Sequence, residues 1–454
     1  MKISFLNKRA LLSGLSILLF VILLPEVSLS ETFYVNNSGS PACSDTYNGT
    51  AAQPWCTVQK AASTLQAGDT VYVENGVYDE LVAINIRSGA SGSPITFVSK
   101  NKWGADVRQG FYTNKTHIII DGFKVSEPYH VTEGRHAVQI LSGARNVDVK
   151  NLWIQDAHGC AIYTEAPYTN IISNYIYRSE CGIYVRSANN SNILNNEVER
   201  LYRYSGMYDS DYVKFFGDSI TFSGNYFHGT TKQEIGGAHV DCFQYFDDAD
   251  ITATNILIEN NQCTSFHQAL MLESDKNFYN TSITVRNNVF DGKAFDKYVW
   301  GWCIKAIKNL KLYNNVFANT THNSSDLNST IIHRNNIYYN GGNMPYGATS
   351  GVVQTDHNLL YKSGYYYNNW DYPYDVVNKD PKFVNPATSN YAIRVDSPAR
   401  NAGTALEGFT SDIRGMPRPP IVILCRPRRT ITFIRGCRWR GYWRAQTTTL
   451  LGRR

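Results

Sequence analysis

Gly236-Gly-Ala-His-Val-Asp-Cys-Phe-Gln-Tyr-Phe246 is a strand-like run in which small and apolar positions are set beside His239, Asp241 and Gln244, three residues with no structural need to be there. It is one rung of a repeat. The same local pattern returns as His136-Ala-Val-Gln139, Cys160-Ala-Ile-Tyr163, Cys181-Gly-Ile-Tyr184, Gln268-Ala-Leu-Met271 and Trp302-Cys-Ile-Lys305. Asp241-Cys-Phe-Gln244 is the version that carries a carboxylate. Between the rungs runs a second signature, an asparagine followed by an apolar or aromatic pair, at Asn151, Asn174, Asn196, Asn225, Asn261, Asn288, Asn315, Asn336 and Asn358.

The intervals between these asparagines are 23, 22, 29, 36, 27, 27, 21 and 22 residues, the unit of a solenoid whose coil is built from short strands and turns. Thr254-Asn-Ile-Leu-Ile-Glu-Asn260 and Thr281-Ser-Ile-Thr-Val-Arg-Asn287 alternate with period two, so the coils are β rather than helical. Parallel strands stack about 4.8 Å apart, and an asparagine recurring once per coil then forms a ladder of side-chain amides that suits a tight left-handed turn. All nine are expected in that ladder.

With these motifs in view, the chain resembles the right-handed parallel β-helix proteins of the pectin-lyase-like superfamily. The likeness begins at Thr32-Phe-Tyr-Val35 and Pro54-Trp-Cys-Thr-Val-Gln-Lys-Ala-Ala62. It continues through Ala67-Gly-Asp-Thr-Val-Tyr-Val-Glu-Asn-Gly-Val-Tyr78 and returns at Asp412-Ile-Arg-Gly-Met-Pro-Arg418. It implies an all-β solenoid whose open end is plugged by a short N-terminal capping helix, here about Val58 to Leu65. The implied organisation is a cap with the first coils over residues 31–110 and the parallel β-helix proper over 111–414.

Lys2, Lys8 and Arg9 precede an apolar run from Ala10 to Leu24, and Ser28-Leu-Ser30 supplies small residues, so residues 1–30 read as a signal peptide of a secreted protein. The alternative is a retained anchor, for which this run is shorter than the roughly 20 residues that span a bilayer. No membrane association is expected once the signal is cleaved. Cys43 and Cys56 bracket a loop ahead of the capping helix and are expected to bridge. Cys160 and Cys181, one coil apart in one column, either bridge or stack as thiols, and Cys242, Cys263 and Cys303 read as core filler.

The chain's formal charge of +5 conceals an acidic body. Three of the 43 Lys/Arg and one of the 38 Asp/Glu lie in the first 30 residues, and ten arginines and no acid follow Arg414, which leaves 30 bases against 37 acids. A body of net charge −7 excludes nucleic acid as the partner suggested by overall charge. The stretch 415–454 is a basic tail unlike the rest, expected to be disordered or the product of a shifted reading frame, with a polyanion-gripping arm as the alternative.

A solenoid gains a binding surface where coils grow insertions. The two longest intervals are consecutive and enclose Arg200, Arg203, Asp209, Asp211, Lys214, Asp218, His228, Glu234, His239 and Asp241. On this fold acidic polysaccharides are commonly cleaved by β-elimination, which requires a cation to neutralise the uronate carboxylate, a base for the C5 proton and an acid for the leaving oxygen. The expected catalytic residues are Lys214, with a pKa lowered by its aromatic neighbours, and His239 with Asp241, two apart on one strand face and about 6–7 Å apart. Arg200, Arg203, Gln244, His267 and Lys305 are expected to bind substrate, and Asp209, Asp211 and Asp218 to hold Ca²⁺. Asp247, Asp248 and Asp250 read as a solvated turn, with Ca²⁺ binding the alternative. The resulting expectation is a secreted, monomeric polysaccharide lyase acting on an acidic polysaccharide. A glycoside hydrolase using Asp241 with Asp218 or Glu234, a C5-epimerase and a non-catalytic carbohydrate-binding surface protein are the alternatives.

Overall fold

The computed structural model describes residues 30–126, 136–204, 209–246, 251–274, 281–293, 295–344, 351–364, 374–406 and 410–417. Residues 1–29 of the stretch read as a signal peptide, Asp247, Asp248 and Asp250, and the basic tail from residue 418 onward lie outside the described residues. Among those described, three parallel sheets of 13, 11 and 13 strands wind side by side into a right-handed parallel β-helix. The first sheet runs from Thr32–Val35 to Val352–Asp356, the second from Val82–Ile84 to His322–Ser325, and the third from Gly76–Tyr78 to Val376–Val377. All three cross residue 110 without a break.

Period-two patterning buries one face of each strand, so inward positions stack into columns. Val149, Ile171, Ile193, Phe222, Ile258, Val285 and Leu312 are register partners along the first sheet and all fully buried. Beneath the second sheet the stack becomes aromatic: Phe243 meets Phe222 and Phe227 edge-on at 5.7 and 5.6 Å. Removing a ring such as this leaves a void that costs about 3–5 kcal/mol, so the backbone of Asp241–Phe246 is firmly seated.

The capping helix is present at Val58–Thr64 and turns Val58, Ala61 and Ala62 inward. Thr57 caps Lys60, and the Glu80 carboxylate accepts from the amides of Val58 and Gln59 at 2.8 and 2.9 Å, which satisfies the helix's exposed donors.

The asparagine ladder has eight members, not nine. From Asn174 to Asn358 each side-chain oxygen accepts from the preceding member, with side-chain amide contacts of 2.9–3.2 Å along the column. At the top the column holds Leu152, whose amide donates to Asn174 Oδ1. Asn151 sits one position earlier, at φ 57, in a neighbouring column with Ser173, Asn195, Gly224 and Asn260, and it is these residues that adopt the left-handed conformation. Turn geometry and ladder are thus divided between adjacent residues. The repeat also shifts at its end: Trp300 and Cys303, rather than Trp302 and Lys305, are the register partners of Gln268 and Met271.

Three disulfides are present. Cys43–Cys56 closes the N-terminal loop and Cys160–Cys181 joins register partners on the second sheet. Cys242–Cys263 corrects the reading of both as filler, because it staples the strand Asp241–Phe246 to the third sheet of the same coil. Cys303 is the free cysteine among the described residues and is half-buried.

Candidate active site

The outward face of the second sheet carries one straight column, in which Tyr112, Gln139, Tyr163, Tyr184, Lys214 and Gln244 are successive register partners. Aromatic side chains occupy the early coils and give way to charge at Lys214. The transition coincides with the two long insertions, where Asp211-Tyr-Val-Lys214 and Asp241-Cys-Phe-Gln244 lie one above the other.

Five ionisable side chains converge there. Lys214 Nζ lies 3.2 Å from Asp211 and 3.5 Å from Asp209, while His239 Nδ1 lies 3.2 Å from Asp241 Oδ1. The Asp241 amide donates to Asp211 Oδ1 at 2.7 Å, and Gln244 Nε2 reaches Asp241 and Asp209 at 3.4 and 3.5 Å. His239 and Asp241 therefore touch rather than hold a sugar unit between them: the spacing of their backbones does not fix that of two side chains free to lean together. Gly236, at φ 57 after the short helix Lys232–Ile235, turns the chain toward this cluster.

Exposure divides the cluster into layers. Asp211 and Asp241 are 0% exposed, whereas the side chains of Lys214, His239 and Asp209 are 18%, 38% and 42% exposed. A ligand arriving from solvent meets Lys214, His239 and the flanking Asp209, with the carboxyl groups of Asp211 and Asp241 beneath them.

The charge states follow from this burial. Desolvation and the neighbouring Asp241 push Asp211 up to about 8, and desolvation raises Asp241 as well, so the pair holds a proton at neutral pH. Desolvation pulls on Lys214 in the opposite sense, but Asp211 and Asp209 outweigh it and leave the lysine raised, not lowered as its aromatic sequence neighbours suggest. Burial likewise pulls His239 down, yet Asp241, with Asp211 and Asp209 beyond it, lifts it to about 9.

His267 stacks on His239 at 5.0 Å, with its Nδ1 accepting from the Val240 amide at 3.1 Å and its Nε2 3.5 Å from Asp296. Burial, and then the His239 charge, lower it to about 4, so it is a neutral support for the His239 ring. Gln268, a residue the sequence did not single out, brings Nε2 within 3.2 Å of His239 Nε2.

The other expected site residues lie elsewhere. Arg200 is on the third sheet, donating through Nε to Glu234 at 2.7 Å and through a terminal nitrogen to Tyr177 at 3.0 Å. The Arg203 amide donates to the Glu234 carbonyl. Arg200 braces the short helix rather than lining the cluster, and the Arg203 main chain is tied to the same helix. Lys305 lies two coils beyond Phe246 in its column and pairs with its register partner Glu273. Asp218 closes the far end of its strand, bonded to Ser219 and Asn255 at 2.9 Å each. Asp209, Asp211 and Asp218 thus form no common ligand set.

The groups that do converge within 4.8 Å are Asp211, His239 and Asp241. They supply two carboxylates and a nitrogen with the Lys214 ammonium already beside them, which does not fit the shell of about six to eight oxygens that Ca²⁺ takes. Glu197, Glu199 and His228 form a second such group on the third sheet, already tied together by a 2.9 Å contact between His228 and Glu197.

Searches with the fold find solved structures of the same architecture. A rhamnogalacturonan lyase aligns at 15% identity and TM-score 0.52, over 68% of this chain and 87% of that one. The fold is that of the pectin-lyase-like parallel β-helix. Pectate lyase Pel9A aligns at 14% identity and TM-score 0.51 over 85% of this chain and 94% of its own. XylC, solved with xylose, aligns at 13% identity and TM-score 0.51 over 78% and 87%. No protein-family model matches the sequence, and neither does any curated protein. The described residues contain no helix long and apolar enough to cross a membrane.

Proposed function

We propose that the protein is a secreted polysaccharide lyase that cleaves an acidic, uronate-containing polymer by β-elimination at the Lys214–His239–Asp241 cluster. The observation that carries this reading is the layering of the site: an exposed His239 backed by a buried carboxylate, beside a lysine held in its charged form. Lys214 pairs with the C6 carboxylate of the sugar, which makes the C5 proton acidic. Neutral His239, with its Nδ1 proton directed at Asp241, takes the C5 proton through Nε2 as Gln268 gives way to substrate. The electron pair forms the C4–C5 double bond, the C4–O4 bond breaks, and the imidazolium returns its proton to O4. Asp241 stabilises that imidazolium. The three disulfides suit an oxidising compartment, and the lyase names of two structures sharing the fold agree with the reading.

A glycoside hydrolase reading has one observation in its favour, the close pair of carboxyl groups in Asp211 and Asp241. A hydrolase needs both to reach the sugar, and both are shut beneath Lys214 and His239. Incubation with pectate, alginate and glycosaminoglycan panels separates the two. The ultraviolet absorbance of an unsaturated uronate is expected, absent in His239→Ala. New reducing ends without that absorbance assign hydrolysis and sink the lyase reading.

A further inference from the structure

The outer face of the first sheet, a different side of the solenoid, holds a cleft of about 370 Å³ that the elimination chemistry does not use. Its floor is a column of register partners, Ile119, Asp148, Asn170 and Asn192, one per coil. Asn192 Nδ2 donates to Asn170 Oδ1 at 3.0 Å and Asn170 Nδ2 donates to Asp148 Oδ1 at 2.7 Å. A side-chain amide carries two N–H donors and a two-lone-pair oxygen, so a ladder that spends one donor per step leaves hydrogen-bonding capacity facing outward at each coil. The Asn146 side chain, 3.1 Å from His117 Nε2, adds to this polar wall.

The rim supplies the complementary surface. Tyr168 is 43% exposed and held at φ 58, and the guanidinium of Arg145 lies 5.1 Å from its ring centroid. An aromatic ring beside closely spaced amide and carboxylate groups is the combination that grips a sugar, whose C–H face is apolar and whose edge carries adjacent hydroxyls. Charge selects among sugars. The cleft lining itself includes one carboxylate, Asp148, and neither lysine nor arginine, and the Arg145 guanidinium at the rim lies against the Tyr168 ring, so a uronate on the floor meets repulsion from Asp148 and a neutral unit does not. The same lining sets the amides of Asn146, Asn170, Asn190 and Asn192 among apolar surface, which suits the two kinds of face a sugar presents.

We infer that this cleft is a neutral-sugar binding site, separate from the acid–base cluster, which holds uncharged units of a glycan on the flank of the solenoid. Its occupant is a neutral oligosaccharide, with vicinal hydroxyls on Asp148, Asn170 and Asn192 and one ring face on Tyr168. The inference stands on the cleft alone and does not require the lyase reading.

Calorimetric titration of the full chain with neutral tetrasaccharides of xylose, glucose, mannose and galactose, beside trigalacturonate, tests it. At least one neutral sugar is expected to bind, with Asn170→Ala and Tyr168→Ala each weakening Kd by at least about tenfold. Tyr168→Phe keeps the ring and is expected to retain binding, which guards against a loss caused by misfolding, and His239→Ala is expected to leave Kd unchanged. Absence of binding by every neutral sugar overturns the proposal. So does binding that survives Tyr168→Ala and Asn170→Ala, or binding lost with His239→Ala. The lyase reading can fail while neutral sugars still bind, and the reverse, so the two failures are distinguishable.

Discussion

Asp241 donates its backbone amide to the side chain of Asp211, one coil before it, at 2.7 Å, and so ties together two carboxyl groups that are both sealed from solvent. This arrangement makes the fold sensitive to alkali. The Asp211 carboxyl moves from its ordinary range of about 4 in the unfolded chain to about 8 in the folded one. Between these values the folded state binds more protons than the unfolded state, so stability falls as pH rises through that window. His239 acts in the same sense: its contribution is full below about 6.5 and is lost as pH rises through about 9. The thermal midpoint is expected to decline from about pH 6 to about pH 9. Asp211→Asn keeps an acceptor for the Asp241 amide and is expected to flatten that decline. A wild-type midpoint that climbs toward pH 9 would contradict a protonated buried pair.

The asparagine ladder makes a second, position-specific prediction. Asn288 accepts from the Asn261 amide at 2.9 Å and from its side chain at 3.0 Å, and donates to Asn315 at 3.0 Å. Asn288→Ala leaves these buried groups unpaired, at an expected cost of about 1–3 kcal/mol. Asn151→Gly, off the column at φ 57, keeps the backbone conformation and loses only the contact with Asp121, so its midpoint is expected to stay near wild type. Equal losses in the two variants would remove the distinction between ladder and turn columns.

What the sequence revealed and what it concealed have one physical origin. The coils were legible because each must bury one face of each strand and satisfy one turn, and that demand repeats about 20 to 35 residues later with the same residue types. Lys214, His239 and Asp241 stood out because charge interrupts the pattern there. Asp211, read from the sequence as a Ca²⁺ ligand, opens Asp211-Tyr-Val-Lys214 as Asp241 opens Asp241-Cys-Phe-Gln244, and that parallel is what sets the two carboxyls one above the other. Arg200, Arg203 and Asp218 were grouped with them by proximity in sequence, but one coil distributes its residues over three sheets, and these fall on other faces or strand ends. The direction of the Lys214 shift was not legible, because it depends on carboxylates brought alongside only by folding.

The Cys242–Cys263 bridge closes a loop of 21 residues directly after Asp241 and spans two sheets. The Cys242→Ser/Cys263→Ser double variant is expected to lose about 2–4 kcal/mol of stability in denaturant titration. An unchanged midpoint in the double variant, with the bridge confirmed in wild type by mass spectrometry, would show that the aromatic core alone fixes the strand.

The last prediction concerns how Asp241 acts on His239. If His239 is the base, kcat/KM rises with pH as the imidazole loses its proton near about 9, while Lys214, raised above its ordinary value, stays charged through that rise. His239→Ala and Lys214→Ala are each expected to lower turnover by about 10²–10⁴-fold. Asp241→Asn removes the carboxylate that lifts His239, so the alkaline rise is expected to move about one to two pH units toward acid, with a lower plateau because the imidazolium has lost its partner. A merely structural role for Asp241 lowers activity without moving that inflection. Added Ca²⁺ is expected to restore nothing in Asp241→Asn, since Lys214 already supplies the positive charge beside the buried carboxyls. Recovery of activity with Ca²⁺, at an unshifted pH profile, would make Asp241 a metal ligand and remove it from its place behind the base.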